Sequence, residues 1–440
     1  MPTTFLNRAA GLTKRVRHSN QLAKNTLWML MGQGVGIVLQ AVYFIIIARA
    51  LGPDQYGAFV GATSLIAIFA PFVTLGSGSL IVKNVSRNPE LFNQYWGNSL
   101  LIIGVTGTVF TALLCLISPS LLPNNISTTL VFCAAISDFI CLRLLEIAGH
   151  AFQAIHKLSK TAQIKILPGI TRVVAAIVMV YIFPEPNAVG WTVLYLIGTI
   201  IAASVAVLLV QIHMGSPKLA LERIRPELFE GFCYSTGLSS QTIYNNVDKT
   251  MLARFSTLSS AGVYAAAYRI IDVAFVPIRS LLSASYAKFY QHGASGISHS
   301  LQYAKRLTPL AAIYGIIVGV VLILLSPLLP YAFGQNYAES AQALCWLAPL
   351  PFFKAMHYFA ANSLSGAGLQ SLRSAAQVFI AIFNFCGNLI LIPLYSWKGA
   401  IASSLASDGL LMIILWTIAI FYSRRQIKRV LNIERERMNG

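Results

Sequence analysis

The fold class predicted for this 440-residue chain is an all-α membrane protein: about twelve transmembrane helices in two six-helix bundles, related by a pseudo-two-fold axis along the membrane normal, around a central cavity. Three observations predict it. Charged residues make up 10% of the chain and hydrophobic ones 56%, whereas a soluble domain carries about 25% charge. Apolar stretches of about 18 to 25 residues, enough to cross a bilayer, recur along its whole length. The chain also repeats its own punctuation: Ala48-Arg49 and Gly57 return as Ala253-Arg254 and Gly262 at an offset of 205, Ser118-Pro119 returns as Ser326-Pro327, and Pro184 and Gly190 return as Pro393 and Gly399 at an offset of 209. An offset that grows slowly marks an old tandem duplication with small loop insertions.

In chain order, residues 1–26 form a basic cytoplasmic segment. The N-terminal bundle, 27–212, holds apolar stretches at 27–48, 57–80, 97–118, 128–148, 166–183 and 189–212. A cytoplasmic linker, 213–228, leads to the C-terminal bundle, 229–422, with stretches at 229–253, 262–288, 307–328, 340–362, 372–395 and 398–422, and a basic cytoplasmic tail closes the chain at 423–440. The first run is too long for a signal-peptide core and is expected to stay as an anchor. The seventh is interrupted by Gln241, Asn245, Asn246, Asp248 and Lys249. Six spans per repeat is an even number, so both halves enter the membrane with the same orientation.

The net charge is +18, and its position gives it meaning. With the N-terminus inside, only Arg49, Arg254 and Lys398 of the 32 Lys and Arg fall on the outer side, while Arg8, Lys14, Arg15, Arg17 and Lys24 crowd one terminus and Arg424, Arg425, Lys428, Arg429, Arg435 and Arg437 the other. That asymmetry puts both termini in the cytoplasm. No soluble basic face is long enough to bind nucleic acid, so the lipid bilayer is the partner the charge implies. Phe5, Ala9, Leu12 and Val16 recur at helical spacing among the N-terminal basic residues, which fits an amphipathic helix on anionic lipid as well as it fits a disordered tail. Cys115, Cys133, Cys141, Cys233, Cys345 and Cys386 all lie in apolar spans without CxxC or Cys/His metal spacing. They read as small buried hydrophobes, and no metal or other cofactor is expected.

Several chemistries are excluded. No Gly-Lys dipeptide occurs, so the chain has no phosphate-binding loop for ATP, and HExxH is absent too. Gly32, Gly34 and Gly36 lie inside the first apolar span, where small residues serve close helix packing, as do Gly57 with Gly61 and Gly315 with Gly319. Every outer loop is short and poor in nucleophiles and bases. An enzyme is therefore not expected.

Eleven ionisable residues fall inside predicted spans: Asp138, Arg143, Glu146, Arg172, Asp248, Lys249, Arg269, Asp272, Arg279, Lys354 and Asp408. Each would cost about 2.5–3.5 kcal/mol facing hydrocarbon, so they must line a protein interior or a watery cavity. Arg269, Asp272, Val276 and Arg279 fall on one helical face, as do Arg143, Glu146, His150, Gln153 and Lys157. The plainer reading is mutual neutralisation, pairing Arg269 with Asp272, Arg143 with Glu146, and Asp248 with Lys249. It leaves a cationic surplus, because Arg279, Arg172 and Lys354 have no acid nearby in sequence; for Arg172 and Lys354, snorkelling toward a helix end is the competing role. Spare guanidinium groups suit an anion, above all phosphate. Asp272, Asp248, Glu146 and Asp408 are the candidates for ion coupling, through carboxyl groups that burial makes harder to ionise. His150 and His357 are weaker ones.

Ala48-Arg49-Ala50-Leu51-Gly52-Pro53-Asp54-Gln55-Tyr56-Gly57 resembles a signature of the polysaccharide-transporter (O-antigen flippase, Wzx-like) branch of the multidrug/oligosaccharidyl-lipid/polysaccharide exporter superfamily. So do Asp248 followed by Ala261-Gly262-Val263-Tyr264 with Arg269, the Phe333-Gly334-Gln335-Asn336-Tyr337 turn, and Asn388-Leu389-Ile390-Leu391-Ile392-Pro393 leading to Lys398-Gly399-Ala400. The resemblance covers nearly the whole chain, and the order of the motifs carries it more than any one of them. It implies a bacterial inner-membrane transporter that moves an undecaprenyl-diphosphate-linked oligosaccharide to the outer leaflet. The family's cationic lumen maps onto Arg143, Arg269, Arg279, Lys249 and Arg172, with Lys354 added from its place on a span. The polysaccharide polymerase and the chain-length regulator are the implied protein partners. Two rivals stand beside this reading. A drug or cation antiporter of the same superfamily should favour acids in its cleft, and a membrane glycan polymerase or transferase should carry larger outer loops.

Overall fold

The computed structural model describes the backbone at residues 3–155 and 157–439 and the side chains at 32–155, 157–222, 232, 235, 239, 242–286 and 288–426. Among the described residues every regular element is helical. Helix α1 (Thr3–Thr74) carries the first two apolar stretches and breaks at Gly52, whose φ of 68° is one that glycine alone adopts cheaply. There follow α2 (Ser77–Val85), α3 (Phe92–Leu121), α4 (Thr128–Ala135), a π-helical turn over Ile136–Cys141, α5 (Leu142–Ala154), α6 (Leu158–Ile182) and α7 (Ala188–Met214). The second half holds α8 (Leu221–Phe255), α9 (Leu258–Ala274), α10 (Val276–Gly293), α11 (Ile297–Leu325), α12 (Leu329–Phe333), α13 (Ala338–Leu347), α14 (Leu350–Gly366), α15 (Gln370–Tyr395) and α16 (Trp397–Asn439).

The apolar stretches predicted from the sequence lie mostly on helix, with 57–80 interrupted at Leu75-Gly76. Among the described residues seven helices are long and apolar enough to cross a membrane by themselves, and the bent pair α9–α10 makes an eighth. One of the seven, Gly32–Val85, contains the second predicted stretch and most of the first. Those at 128–148 and 340–362 fall on helices interrupted by the π-helical turn and at Ala348-Pro349. Outward faces are strongly apolar, as on α11, where Leu310, Ile313, Ile317, Val320 and Leu324 are all exposed. Such a face suits the hydrocarbon of a bilayer.

The chain forms two compact units. The first comprises residues 1–50, 69–120 and 125–236, the second 51–68, 121–124 and 237–440. In the first, Trp96, Trp191, Phe139 and Phe152 are fully buried, and the linker before α8 is pinned to α3: the Lys218 amide donates to the Asn93 carbonyl at 2.8 Å, and Asn98 exchanges two hydrogen bonds with the backbone of Ala220. In the second, Phe275, Ile278, Phe289 and Phe359 interlock with Ala304, Ala311 and Ala355, whose short side chains let helices come close. Closest of all are the two glycines that mark the repeat. A side chain on Gly57 would strike the carbonyl of Leu258 and the Gly262 amide, and one on Gly262 would strike the carbonyl of Pro53.

Three expectations change. The stretch 262–288 is not one straight helix: α9 and α10 meet at 45° around Phe275, because Pro277 cannot donate to the carbonyl four residues back and its ring crowds that carbonyl. The Tyr314 hydroxyl donates to the Ala274 carbonyl at the break, at 2.8 Å. Arg269 and Asp272 therefore ride on a different helix from Val276 and Arg279, and the single stripe is broken. The stripe on α5 is likewise shortened, since that helix ends at Ala154 and Lys157 sits at the N-cap of α6. Cys133 and Cys141 are buried, but Cys386 is exposed on α15. The side chains of Cys233 and of the N-terminal basic segment lie outside the described residues.

Candidate substrate-binding site

Helical spacing gathers the polar residues of the second unit. On α8, Asn245, Asp248 and Lys249 share a face, as do Tyr264, Tyr268 and Asp272 on α9, Lys354 and His357 on α14, and Ser404 and Asp408 on α16. Their contacts form a cluster around Tyr264 and Tyr268 and, beside it, a buried His357–Asp408 pair. Lys354 is 6% exposed; its Nζ donates to the Tyr268 hydroxyl at 2.5 Å and lies 4.6 Å from the centre of that ring. Lys249 Nζ lies 4.3 Å from the same ring, donates to the Asn245 carbonyl at 2.5 Å and sits 3.7 Å from Asp248 Oδ1. The Tyr264 hydroxyl donates to the other oxygen of Asp248. His357 Nε2 lies 3.0 Å from Asp408 Oδ1, both groups buried, while His357 Nδ1 has no partner. Among the described residues Asp248 is the one carboxylate within ion-pair distance of either lysine.

Of the other predicted site residues in this unit, Arg269 and Asp272 are half-buried on α9. Arg279, exposed on α10, holds its guanidinium 6.0 Å from the Phe275 ring. The cluster thus collects Lys249, Lys354 and Asp248, Asp408 pairs with His357, and the bend at Phe275 carries Arg279 onto the next helix.

The first unit holds its cations differently. Arg172 Nη2 donates to the Tyr195 hydroxyl at 2.9 Å, and that hydroxyl donates to Asp138 Oδ1 at 2.7 Å. The Arg172 guanidinium also lies 5.0 Å from the ring of Tyr195 and 5.7 Å from that of Tyr43. Arg143 Nη1 lies 2.6 Å from Glu146 Oε2, in a pair whose side chains are 24% and 43% exposed, with His150 3.9 Å from the other oxygen of Glu146. The π-helical turn matters here. It disturbs the regular bonding of the helix around Asp138, whose carbonyl accepts from Arg143 Nε at 3.3 Å.

Residues 22–287, more than half the chain, match a family described as polysaccharide biosynthesis protein. The chain belongs to that family. It is 21% identical over 403 residues, covering 88% of its own length and 81% of the relative's, to the probable low-salt glycan biosynthesis flippase Agl15 of Haloferax volcanii. Its fold is that of transporters of the MOP superfamily. An inward-facing multidrug resistance MATE transporter matches with a TM-score of 0.74 at 14% identity, covering 92% of this chain and 99% of the other. The lipid II flippase MurJ, in an inward closed conformation, matches at 0.66 and 13% identity, covering 88% and 86%. Family and fold together make the chain a multi-pass membrane transporter and not an enzyme.

Sequence reasoning met Tyr264 only as part of a family motif and passed over Tyr268, and it gave neither a place in the site. Their signal was present, since Tyr264, Tyr268 and Asp272 stand at i, i+4 and i+8, but tyrosine in a span reads first as an interfacial anchor.

Proposed function

We propose that this transporter is a flippase for an undecaprenyl-diphosphate-linked oligosaccharide, the repeat unit of an O-antigen or related surface polysaccharide, carried from the cytoplasmic to the periplasmic leaflet of a bacterial inner membrane by alternating access. One observation supports this above the others: two lysine ammoniums, one buried and one nearly so, converge on Tyr268 with, among the described residues, one carboxylate within ion-pair distance. A lysine pair is a mobile set of point charges that a diphosphate can bridge, whereas a cationic drug would be repelled. Lys249 and Lys354 take the diphosphate, Arg269 supports them from α9, and Arg143, Arg172 and Arg279 stand outside the first contact. Asp408 with His357, and Asp248, are the groups for ion coupling, with Asp272 and Glu146 behind them. The positive-inside pattern supports cytoplasmic termini.

Deleting the gene should cause lipid-linked repeat units to accumulate on the cytoplasmic face, and Lys354→Glu should fail to relieve that accumulation. Normal surface polymer in the deletion strain would remove the flippase reading.

A further inference from the structure

Arg373, outside the site described above, stands in an unfavourable place for a cation. It is the fourth residue of α15, at the end of the helix where the aligned peptide dipoles already present positive charge. It is half-buried, and among the described residues no carboxylate lies within ion-pair distance of it. What holds it is neutral: Nη1 donates to the Ser365 hydroxyl at 2.8 Å, and that hydroxyl, itself buried, donates to Gln370 Oε1 at 2.6 Å. Nε is buried without a partner. A guanidinium kept in this way has capacity left for an oxyanion, which it grips through its planar fork.

Two tyrosines stand beside it. Helices α10 and α14 approach main chain to main chain, since a side chain on Gly366 would strike the Phe289 carbonyl and one on Gly293 the Gly366 carbonyl. That approach brings Tyr286 and Tyr290 of α10 within electrostatic reach of Arg373. Their rings meet edge to face with centres 5.1 Å apart, their hydroxyls lie 3.0 Å apart, and both residues are exposed. With Arg279 and Ser283 they make one exposed stripe on α10. Guanidinium and hydroxyl groups are costly against hydrocarbon, so this stripe belongs against water, unlike the aliphatic face of α11. An aromatic ring in such a position offers its negative face to the weakly positive C–H groups of a sugar ring.

Distance from the lysines decides which anion comes here. Lys354 and Ser365 lie eleven residues apart on α14, which puts them on one face of the helix and about 16 Å apart along its axis. A diphosphate held by Lys249 and Lys354 is far too short to touch Arg373 as well. What reaches that far is the glycan attached to it.

Resting on the flippase reading, we propose that Arg373, Tyr286 and Tyr290 form a subsite for an acidic sugar of the carried oligosaccharide, the guanidinium taking its carboxylate and the tyrosine rings lying against its pyranose face. The lysines hold the diphosphate that all such lipid-linked glycans share, whereas this subsite reads what differs between them.

The test uses the full chain in nanodiscs and saturation-transfer NMR with two soluble probes, methyl glucuronide and methyl glucoside. The glucuronide should bind about tenfold more tightly than the glucoside, the order expected for one hydrogen-bonded charge pair, and Arg373→Gln should bring it down to the glucoside level. Tyr286→Ala should weaken both sugars severalfold at unchanged melting temperature, and it carries the test if Arg373→Gln does not fold. An equal concentration of inorganic pyrophosphate should leave the glucuronide bound. The proposal is overturned if the two sugars bind alike to wild type, if either variant binds the glucuronide as wild type does, or if pyrophosphate displaces it, which would make Arg373 a stop for the diphosphate instead. Failure of the flippase reading looks different: the glucuronide would bind as described while the deletion strain still makes normal surface polymer.

Discussion

In the first unit Arg172 reaches Asp138 through the Tyr195 hydroxyl and Arg143 takes Glu146 directly. In the second, among the described residues, Lys354 has no carboxylate within ion-pair distance and meets the hydroxyl and ring of Tyr268, beside a second lysine that stands 3.7 Å from Asp248. Both units put cations into spans, at similar expected cost, but only one completes the neutralisation internally. Completed pairs are explained by the stability they maintain. An incomplete pair in a buried site calls for a counter-charge from elsewhere, and under the proposed function that counter-charge is the cargo.

The comparison can be broken at four places. Lys354→Glu should give the largest effect, a loss of export of about 100-fold or more, the order expected when a buried cation facing an anion is reversed, at unchanged membrane level. Export near wild type would mean that the second unit's lysines do not meet the cargo. Arg172→Leu should instead destabilise the folded protein by about 3 kcal/mol, because it strands Asp138, and the surviving fraction should transport at the normal specific rate; thermal unfolding in detergent and flipping per folded molecule separate the two. Tyr268→Phe keeps the ring and removes the acceptor for Lys354, which should cost about 1 kcal/mol, read as a severalfold drop in flipping with little change in unfolding temperature. Smallest is Arg143→Gln: its pair with Glu146 is partly exposed, so a change below about 1 kcal/mol is expected, with export within twofold. A large export defect there would return Arg143 to the cationic lumen that the family resemblance implied.

Much of the fold was legible because membrane helices write themselves in long apolar runs, and the predicted runs are mostly helical. The breaks were less legible. Pro277 sits in a run that otherwise reads as unbroken, and a proline in a span is tolerated often enough that its bend cannot be read from sequence alone. That bend separated Arg279 from Arg269. Of the site, the ionisable residues stood out because charge in a span is costly, and Lys249, Lys354, Asp248 and Asp408 came together as charges that need company. What sequence could not show was how cations and acids would be shared out, because pairs such as Arg172 with Asp138 depend on Tyr195, 57 residues from the acid it serves.

The meeting of Gly57 with Gly262 has a consequence for what the sequence can become. Steric conflicts are usually relieved by trading bulk, one partner shrinking as the other grows. Here both partners are already the smallest residue there is, and each confronts main chain instead of a side chain that could rotate away. No second substitution can rescue the first. This junction can change only if the two backbones separate, so it should hold still while the residues around it drift.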